Sequence, residues 1–412
     1  MAGASLLVPF YLRSRTRSET PARAPASQES RVFAPNAWLE IAPNGQVRIW
    51  CGKSEMGQGV LTSLPMIVAE ELRCDWGNVQ VVQADLEPKY GEQLTGGSLS
   101  VRTSYANLRK AGAAAREMLI SAAATEWGVN QAECSAAMGD VVHAKSQRRA
   151  RYGSLLARAA TLAPPAGPPL KSPAEFRLIG RPTPRTDTAL KVTGQAKFGL
   201  DVRAPGMLIA SVERCPVYGG TVRSYNADEV KRVEGVRGVV EVKPFHLTHQ
   251  FGEESGPDSR NYSCAGVAVL ADSTWAAMQA RKTLKVQWDE GATAQESTAS
   301  LREQFVKLAG APGTVMRNDG DFEKAFASAA KKIEAVYEVP FLAHATMEPM
   351  NCTAHVRDGK CEIWAPTQVP GAAAESIAKA LGIPRESIQL HVTFLGGGFG
   401  RRLIQDTPWK RR

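Results

Sequence analysis

Long apolar runs, paired cysteines and clustered histidines are all missing from this 412-residue chain. No stretch approaches the ~20 consecutive apolar residues of a membrane-spanning helix, so no transmembrane segment is expected. The seven cysteines (Cys51, Cys74, Cys134, Cys215, Cys264, Cys352, Cys361) are odd in number, scattered and never spaced C-x-x-C. Neither a disulfide framework nor a zinc or iron–sulfur site can be argued from them, and buried or idle thiols are the simpler reading. Of six histidines, His246 and His249 form H-L-T-H without a third ligand nearby, and there is no H-E-x-x-H. Any metal must be held by something other than protein side chains. Also lacking is a Lys/Arg cluster interleaved with aromatics, the pattern of single-strand binders, so nucleic acid is set aside as a partner.

What is present is ordinary globular composition, 43% hydrophobic and 22% charged. The length implies two or three domains at roughly 100–200 residues each. The net charge of +9 resides in three places: five arginines against two acids in 1–32, ten basic against two acidic residues in 145–191, and five basic residues beside Asp406 in the last twelve. The rest of the chain is therefore net acidic, and the charge describes no binding face. ASLLVPFYL at 4–12 is apolar but has no basic residues before it and no clear cleavage site, so it is incomplete as a signal peptide. The Arg, Ser, Pro and Ala bias that follows reads as a flexible leader, and 1–32 is assigned as such, with the end of a signal segment at its start.

From Asn36 the pattern alternates about Asn44-Gly45, a hairpin signal. Helical spacing over 61–72 persists through Pro65, a strand is expected over 79–85, a loop over 90–104, and an Ala-rich amphipathic helix from Tyr105 to Trp127. Five prolines fall within 162–173, which removes donors and enforces extended geometry, so a linker is placed at 163–174. Strands are then expected at 207–213, 238–245, 264–271 and 284–289, with a helix at 272–282 among them. After a polar 290–320 region, 320–339 begins as a helix and runs into a strand. The segments are thus 33–162, 175–290 and 300–412.

Two glycine-rich loops stand out, SEMGQGV from Ser54 and LGGGFGRR from Leu395, the second following the strand-like IQLHVTF at 388–394. Glycine permits positive φ and close backbone approach, so successive N–H groups can converge on phosphate or an oxyanion. Neither is a Walker sequence or a G-x-G-x-x-G fingerprint, and alone either reads as a turn.

The ordered set is more specific: Glu55-Met-Gly-Gln-Gly, Thr95-Gly-Gly-Ser-Leu-Ser, His344-x-x-Met-Glu-Pro-Met-Asn, Thr367-Gln368 and Gly396-Gly-Gly-Phe-Gly. In this order it resembles the molybdopterin-binding subunit of the molybdenum hydroxylases, the xanthine dehydrogenase and aldehyde oxidoreductase family. The likeness is greatest to the isoquinoline 1-oxidoreductase beta-subunit branch, because Met56–Gly59 precedes the middle unit. The resemblance runs from about Asn36 to Arg402. It implies a mixed α/β fold in which molybdopterin-binding segments (33–162, permuted, and 300–412) flank a hammerhead-like domain at 175–290. It also implies hydroxylation of N-heteroaromatics or oxidation of aldehydes, with water as the oxygen source.

The roles implied are these. Gln368 lies above the molybdenum; Phe399 borders the substrate; Gly397, Gly398, Gly400 and Arg401 pass beside metal and pterin. Gly57, Gln58 and Gly59 face the pterin and its phosphate, and Gly97, Ser98 and Ser100 form a hydroxyl-bearing phosphate loop. The metal takes no ligand from the protein, since the pterin dithiolene holds it. Met347 and Met350 are read as packing, and Glu348-Pro349 as an element near the substrate channel without an assigned role. The resemblance further implies the cytosine dinucleotide cofactor, a separate small subunit carrying two [2Fe–2S] clusters, and periplasmic export, with the cytoplasm as the alternative. The family's general-base glutamate lies beyond the residues matched here, so the sequence reads as C-terminally truncated, with an inactive remnant as the alternative function.

Overall fold

The computed structural model describes residues 33–245, 247 and 263–405. The leader 1–32, His246, His249 and residues 406–412 lie outside them.

The chain opens with β1 Phe33–Asn36, β2 Leu39–Ile41 and β3 Val47–Cys51. β2 and β3 pair antiparallel across Asn44-Gly45, with Gly45 at φ 86°. Along β3, Val47, Ile49 and Cys51 are buried and Arg48 and Trp50 only partly so, the two-residue period of a strand with one face on the core. α1 Val60–Leu72 crosses over to β4 Val79–Gln83, which runs parallel to β3 and completes a sheet ordered β1-β2-β3-β4. Pro65 sits inside α1 without breaking it. The Leu61 carbonyl that would have bonded to its missing N–H accepts instead from Thr186 Oγ1 at 3.0 Å.

α2 Ser100–Trp127 packs along α1, and at Gly112 a Cβ would lie 2.3 Å from the Val68 carbonyl oxygen. It starts at Ser100; the sequence expectation places the start at Tyr105 because the first turn, Ser-Val-Arg-Thr-Ser, carries no apolar stripe. β5 Cys134–Ala137, β6 Asp140–His143 and β7 Arg148–Arg151 form an antiparallel meander ahead of α3 Tyr152–Ala159. Leu39, Ile49, Leu72, Leu119 and Leu155 share one core.

The proline-rich 163–174 stretch does not divide two bodies. Its carbonyls are taken up by α2: Arg116 donates to Pro169 O and Arg109 to Lys171 O, while both arginines pair with buried Glu71. Next to it, Glu70 Oε2 accepts the backbone N–H groups of Arg177, Leu178 and Ile179 at 2.9, 2.6 and 3.1 Å. Burial raises the Glu70 carboxyl, but these three donors and Lys171 outweigh it and hold the pKa below the usual carboxylate range. The first compact unit therefore continues through α4 Thr188–Val192 to Gly206, where the boundary lies in place of 163–174.

The second unit comprises 207–245 and 264–345. It contains β8 Ile209–Arg214, β9 Thr221–Tyr225, α5 Ala227–Lys231, β10 Val236–Val242, β11 Gly266–Ala271, α6 Thr274–Thr283, β12 Val286–Asp289, α7 Thr298–Ala309 and α8 Phe322–Ser328. β11, buried along its whole length, lies between β10 and β8; β12 pairs with β9. The sequence expectation sets the limits of the middle segment at 175 and 290; the compact unit runs instead over 207–245 and 264–345. No strand follows α8 over 329–339, contrary to the sequence expectation. Ile333, Val336, Tyr337 and Val339 stay exposed because no strand of this unit pairs with them. Met347 is also exposed, so it does no packing.

The chain then returns to the first unit with β13 Thr353–Arg357, β14 Lys360–Ala365, α9 Pro370–Leu381 and β15 Ile388–Val392. β13 is antiparallel to β14, β14 is parallel to β15, and Ile363, Ile377 and Leu390 form a second core with α9. The fold is mixed α/β. Both parallel pairs, β3/β4 and β14/β15, are β-α-β units, and the loops at 52–59, 84–99, 366–369 and 393–402 leave the carboxyl ends of their strands. In open α/β sheets that is the end where ligands bind.

Candidate cofactor site

These four loops are bonded to one another. Leu395 N donates to Glu55 O at 3.0 Å, Thr95 N to Gln368 O at 2.8 Å, and Gln368 N to Arg402 O at 3.0 Å. Ser54 N donates to Thr95 Oγ1 at 2.8 Å and Ser54 Oγ to Thr367 O at 2.7 Å. Four of the five motifs picked out of the sequence thus form one connected surface, and Glu348 from the fifth joins it below.

Three helices, α1, α2 and α9, start from these loops, and the ends of α1 and α2 differ. At α1, buried Glu55 folds back over the end of its own helix: Oε1 accepts from Gly57 N (2.8 Å) and Gly59 N (3.1 Å), and Oε2 from Leu61 N (3.1 Å). Gly57 and Gly59 reach that geometry at φ 111° and 91°. Arg185 clamps the carboxylate at 3.0 Å and donates to Gly57 O at 2.7 Å, held in turn by buried Asp187. The Arg185 hydrogen bond and Lys191 bring the Asp187 carboxyl down to about 2, with burial opposing. A carboxylate therefore already fills the anion position at α1. Gln58 is exposed; its Oε1 accepts from Met56 N and its Nε2 donates to Ser54 O, which leaves one amide N–H and one lone pair for a ligand.

The longer helix α2 has no such plug. Its N-cap Leu99 offers no side-chain bond, and no acid stands in its first turn. Gly97 and Ser98 precede it at φ 56° and 55°, both exposed, with Ser100 as the first helical residue. Free N–H groups, a positive dipole end and two serine hydroxyls make this the phosphate-compatible end of the two.

Gln368 is buried between the two halves of the site. Its Nε2 donates to Thr95 O at 2.8 Å, while Oε1 has no partner, one of three buried side-chain polar atoms without one among the described residues. Beside it is Gly398, where a Cβ would lie 2.9 Å from Gln368 Oε1 and 2.5 Å from Met56 Sδ. An orphaned buried acceptor calls for a donor that the chain does not supply. Phe399 is 74% exposed at φ 53°, doubly unfavourable for a large apolar residue in the absence of a ligand. Arg401 N donates to Gly398 O at 2.9 Å, which tightens the turn.

Glu348 and Arg402 are the residues whose part in the site could not be read from sequence. Arg402, fully buried, donates Nε to Gly397 O (2.7 Å), Nη1 to Pro366 O (3.3 Å) and Nη2 to Glu348 O (2.7 Å) and Oε2 (3.0 Å). Glu348 also accepts from Gly396 N, Leu200 N and Asn351 Nδ2 at 2.9, 3.2 and 3.0 Å. Burial pushes the Arg402 pKa down, with Glu348 opposing it. The pair locks Gly396–Gly400 against the Thr367-Gln368 turn. Its only trace in the sequence is the E-P-M-N run and the second arginine of G-R-R.

The site offers backbone N–H groups, hydroxyls and an amide; among the described residues no group of His, Cys, Asp and Glu could hold a metal ion. The open N-terminus of α2 with its serine hydroxyls suits a phosphate, and the unpaired Gln368 Oε1 suits a donor on a ligand. Comparison with known proteins agrees. Two family models, each a molybdopterin cofactor-binding domain, match residues 16–203 and 308–410. The chain is 33% identical to the membrane-bound aldehyde dehydrogenase (pyrroloquinoline-quinone) of Gluconacetobacter polyoxogenes, over 91% of this chain and 48% of that protein. It is 32% identical to the beta chain of isoquinoline 1-oxidoreductase from Brevundimonas diminuta, over 93% of this chain and 53% of that protein. To the molybdenum-binding component of an aldehyde oxidoreductase from Escherichia coli K12 it is 27% identical, over 56% of this chain and 32% of that protein. The chain spans about half the length of the first two relatives. With two molybdopterin-binding models covering both halves of the loop cluster, this chain belongs to the molybdopterin-binding subunit family of the molybdenum hydroxylases.

Proposed function

We propose that this chain provides the cofactor-binding face of an oxidoreductase that hydroxylates N-heteroaromatics or oxidises aldehydes, with water as the oxygen source. The observation that carries the reading is the buried, unpaired Gln368 Oε1 beside Gly398, enclosed by loops from both β-α-β units. When bound, the molybdenum pterin group supplies two-electron oxidation coupled to oxygen transfer. The chain's own residues bind and orient: Gln368 offers its free acceptor, Gly398 clears the space in front of it, and Gly57, Gln58 and Gly59 border the pterin. Phe399 presents an aromatic face to the substrate. Ser98 and Ser100 at the open end of α2 support a cofactor with a phosphate tail, and the reading takes the cytosine dinucleotide form.

A small iron–sulfur protein with two [2Fe–2S] clusters is the partner in this proposal; the seven cysteines, dispersed through the chain, support its being a separate subunit. Among the described residues no helix is long and apolar enough to cross a membrane. The apolar residues at 4–12 support export, and the periplasm is the proposed location, which cell fractionation tests.

The main experiment measures molybdenum and acid-released cytidine monophosphate in protein purified from its own host. We expect both near one per chain. Gly398→Ala is expected to lower them severalfold while the protein stays folded, since Gly398 is not left-handed and the added Cβ meets only side-chain atoms, Met56 Sδ and the Gln368 amide, which can shift. Wild-type protein that is folded but metal-free, or a Gly398→Ala protein that keeps its full metal, sinks the reading.

A further inference from the structure

A cavity of about 390 Å³ opens among β3, the 89–94 loop and the first turns of α2. No residue assigned above to the cofactor lines it. Its wall is mainly apolar, with Trp38, Trp50, Leu64, Leu94 and Leu108, and it holds one buried cation, Lys53. Lys89 also reaches the wall, but it is exposed and already paired with Glu87 at 2.6 Å. Glu92 lies there too, exposed, with its Oε1 accepting from Leu94 N at 2.7 Å. Lys53 Nζ donates to the carbonyls of Glu92 (2.7 Å) and Leu94 (2.9 Å), and its third N–H has no acceptor among the described residues. No carboxylate among those residues comes within ion-pair distance of it. Burial accordingly pushes its pKa down, with Glu92 opposing. A buried ammonium without a carboxylate in contact is unfavourable, and an anion completing its shell relieves that.

We propose that this cavity binds a medium-chain monocarboxylate, with the head group on Lys53 Nζ and the tail along Trp38 and Trp50. Pockets of ~300–1,000 Å³ enclose ligands of drug size, so a body longer than acetate is needed to fill this one. The inference does not depend on the proposed reaction.

The test uses the purified full chain and ω-bromodecanoate, whose bromine quenches nearby tryptophans. We expect saturable quenching that is lost in Trp38→Phe/Trp50→Phe. Binding of decanoate should weaken about tenfold or more in Lys53→Met, with decanol equally weak on the wild type, as a lost charge-assisted hydrogen bond requires. Leu94→Trp, which fills the cavity and keeps Lys53, should abolish binding. It carries the test by itself if Lys53→Met fails to fold. Absence of saturable quenching, decanol binding as well as decanoate, or full binding by Lys53→Met or Leu94→Trp overturns the proposal. Displacement of decanoate by cytidine monophosphate also overturns it, by giving the cavity to the cofactor's nucleotide.

Discussion

Glu348→Gln isolates the charge that holds the Gly396–Gly400 loop. Glu348 and Arg402 are both buried, with side chains 5% and 0% exposed and 3.0 Å apart. The substitution keeps the shape but leaves a guanidinium in the interior with only carbonyls for company. It also turns one acceptor into a donor facing either Gly396 N and Arg402 or Leu200 N and Asn351. Breaking a buried pair in this way costs roughly 3–5 kcal/mol, a large share of the roughly 5–15 kcal/mol that stabilises a typical domain. Arg402→Met should be comparably destabilising, because it strands the carboxylate. Glu348→Gln/Arg402→Met should cost less than the sum of the two singles by at least ~2 kcal/mol, since no charge is then buried alone. Urea unfolding followed by far-ultraviolet circular dichroism reads the differences. With slopes of roughly 1–3 kcal/mol/M, a loss of ~3 kcal/mol lowers the midpoint by about 1–3 M. Single variants within ~1 kcal/mol of wild type, or a double variant equal to the sum of its singles, would refute the clamp.

Other expectations concern the scaffold of the site. Gly112→Ala gains about 1 kcal/mol of helix propensity, but its Cβ meets the Val68 carbonyl at 2.3 Å, backbone that cannot swing aside. Overpacking of roughly 1–3 kcal/mol or more should win, so the variant unfolds at lower denaturant, and a more stable variant would show that α1 and α2 can separate freely. Asp187 has its pKa drawn from 3.8 down to about 2, so its stabilisation is complete above pH ~4 and is lost as pH falls from there toward 2. Between those limits the wild type should lose about 2 kcal/mol more than Asp187→Asn, and parallel acid-unfolding curves for the two would exclude the effect. Cys51 and Cys74, pushed up to about 12 by burial, and Cys361, up to about 11, should resist alkylation at neutral pH until denaturant is added. Rapid labelling of the folded protein at these positions would contradict the upward shift of the three thiols.

What is legible in the sequence and what is hidden divide along a physical line. Period-two burial in β3, the Asn44-Gly45 turn and the glycine loops are local, and each is legible because the residue type and the backbone conformation it permits are bound together. Polar elements are not: the first turn of α2 and the whole of β9 carry no apolar stripe, so hydrophobic period cannot find them. The proline-rich stretch misleads for a related reason. Proline removes donors but not acceptors, and Arg109 and Arg116, far away in sequence, bond to the carbonyls it leaves, so a run with the composition of a linker is fastened to the first unit. Glu55 shows the same limit within the site itself. As a motif, Glu-Met-Gly-Gln-Gly at the start of α1 looks like a cradle for an external anion, yet the side chain in its first position is the anion. The phosphate-compatible end falls instead to α2, whose first turn reads as loop in the sequence. Which of two helix N-termini stays open to an external anion and which is closed by the chain's own depends on where one carboxylate folds, and residue spacing does not encode that.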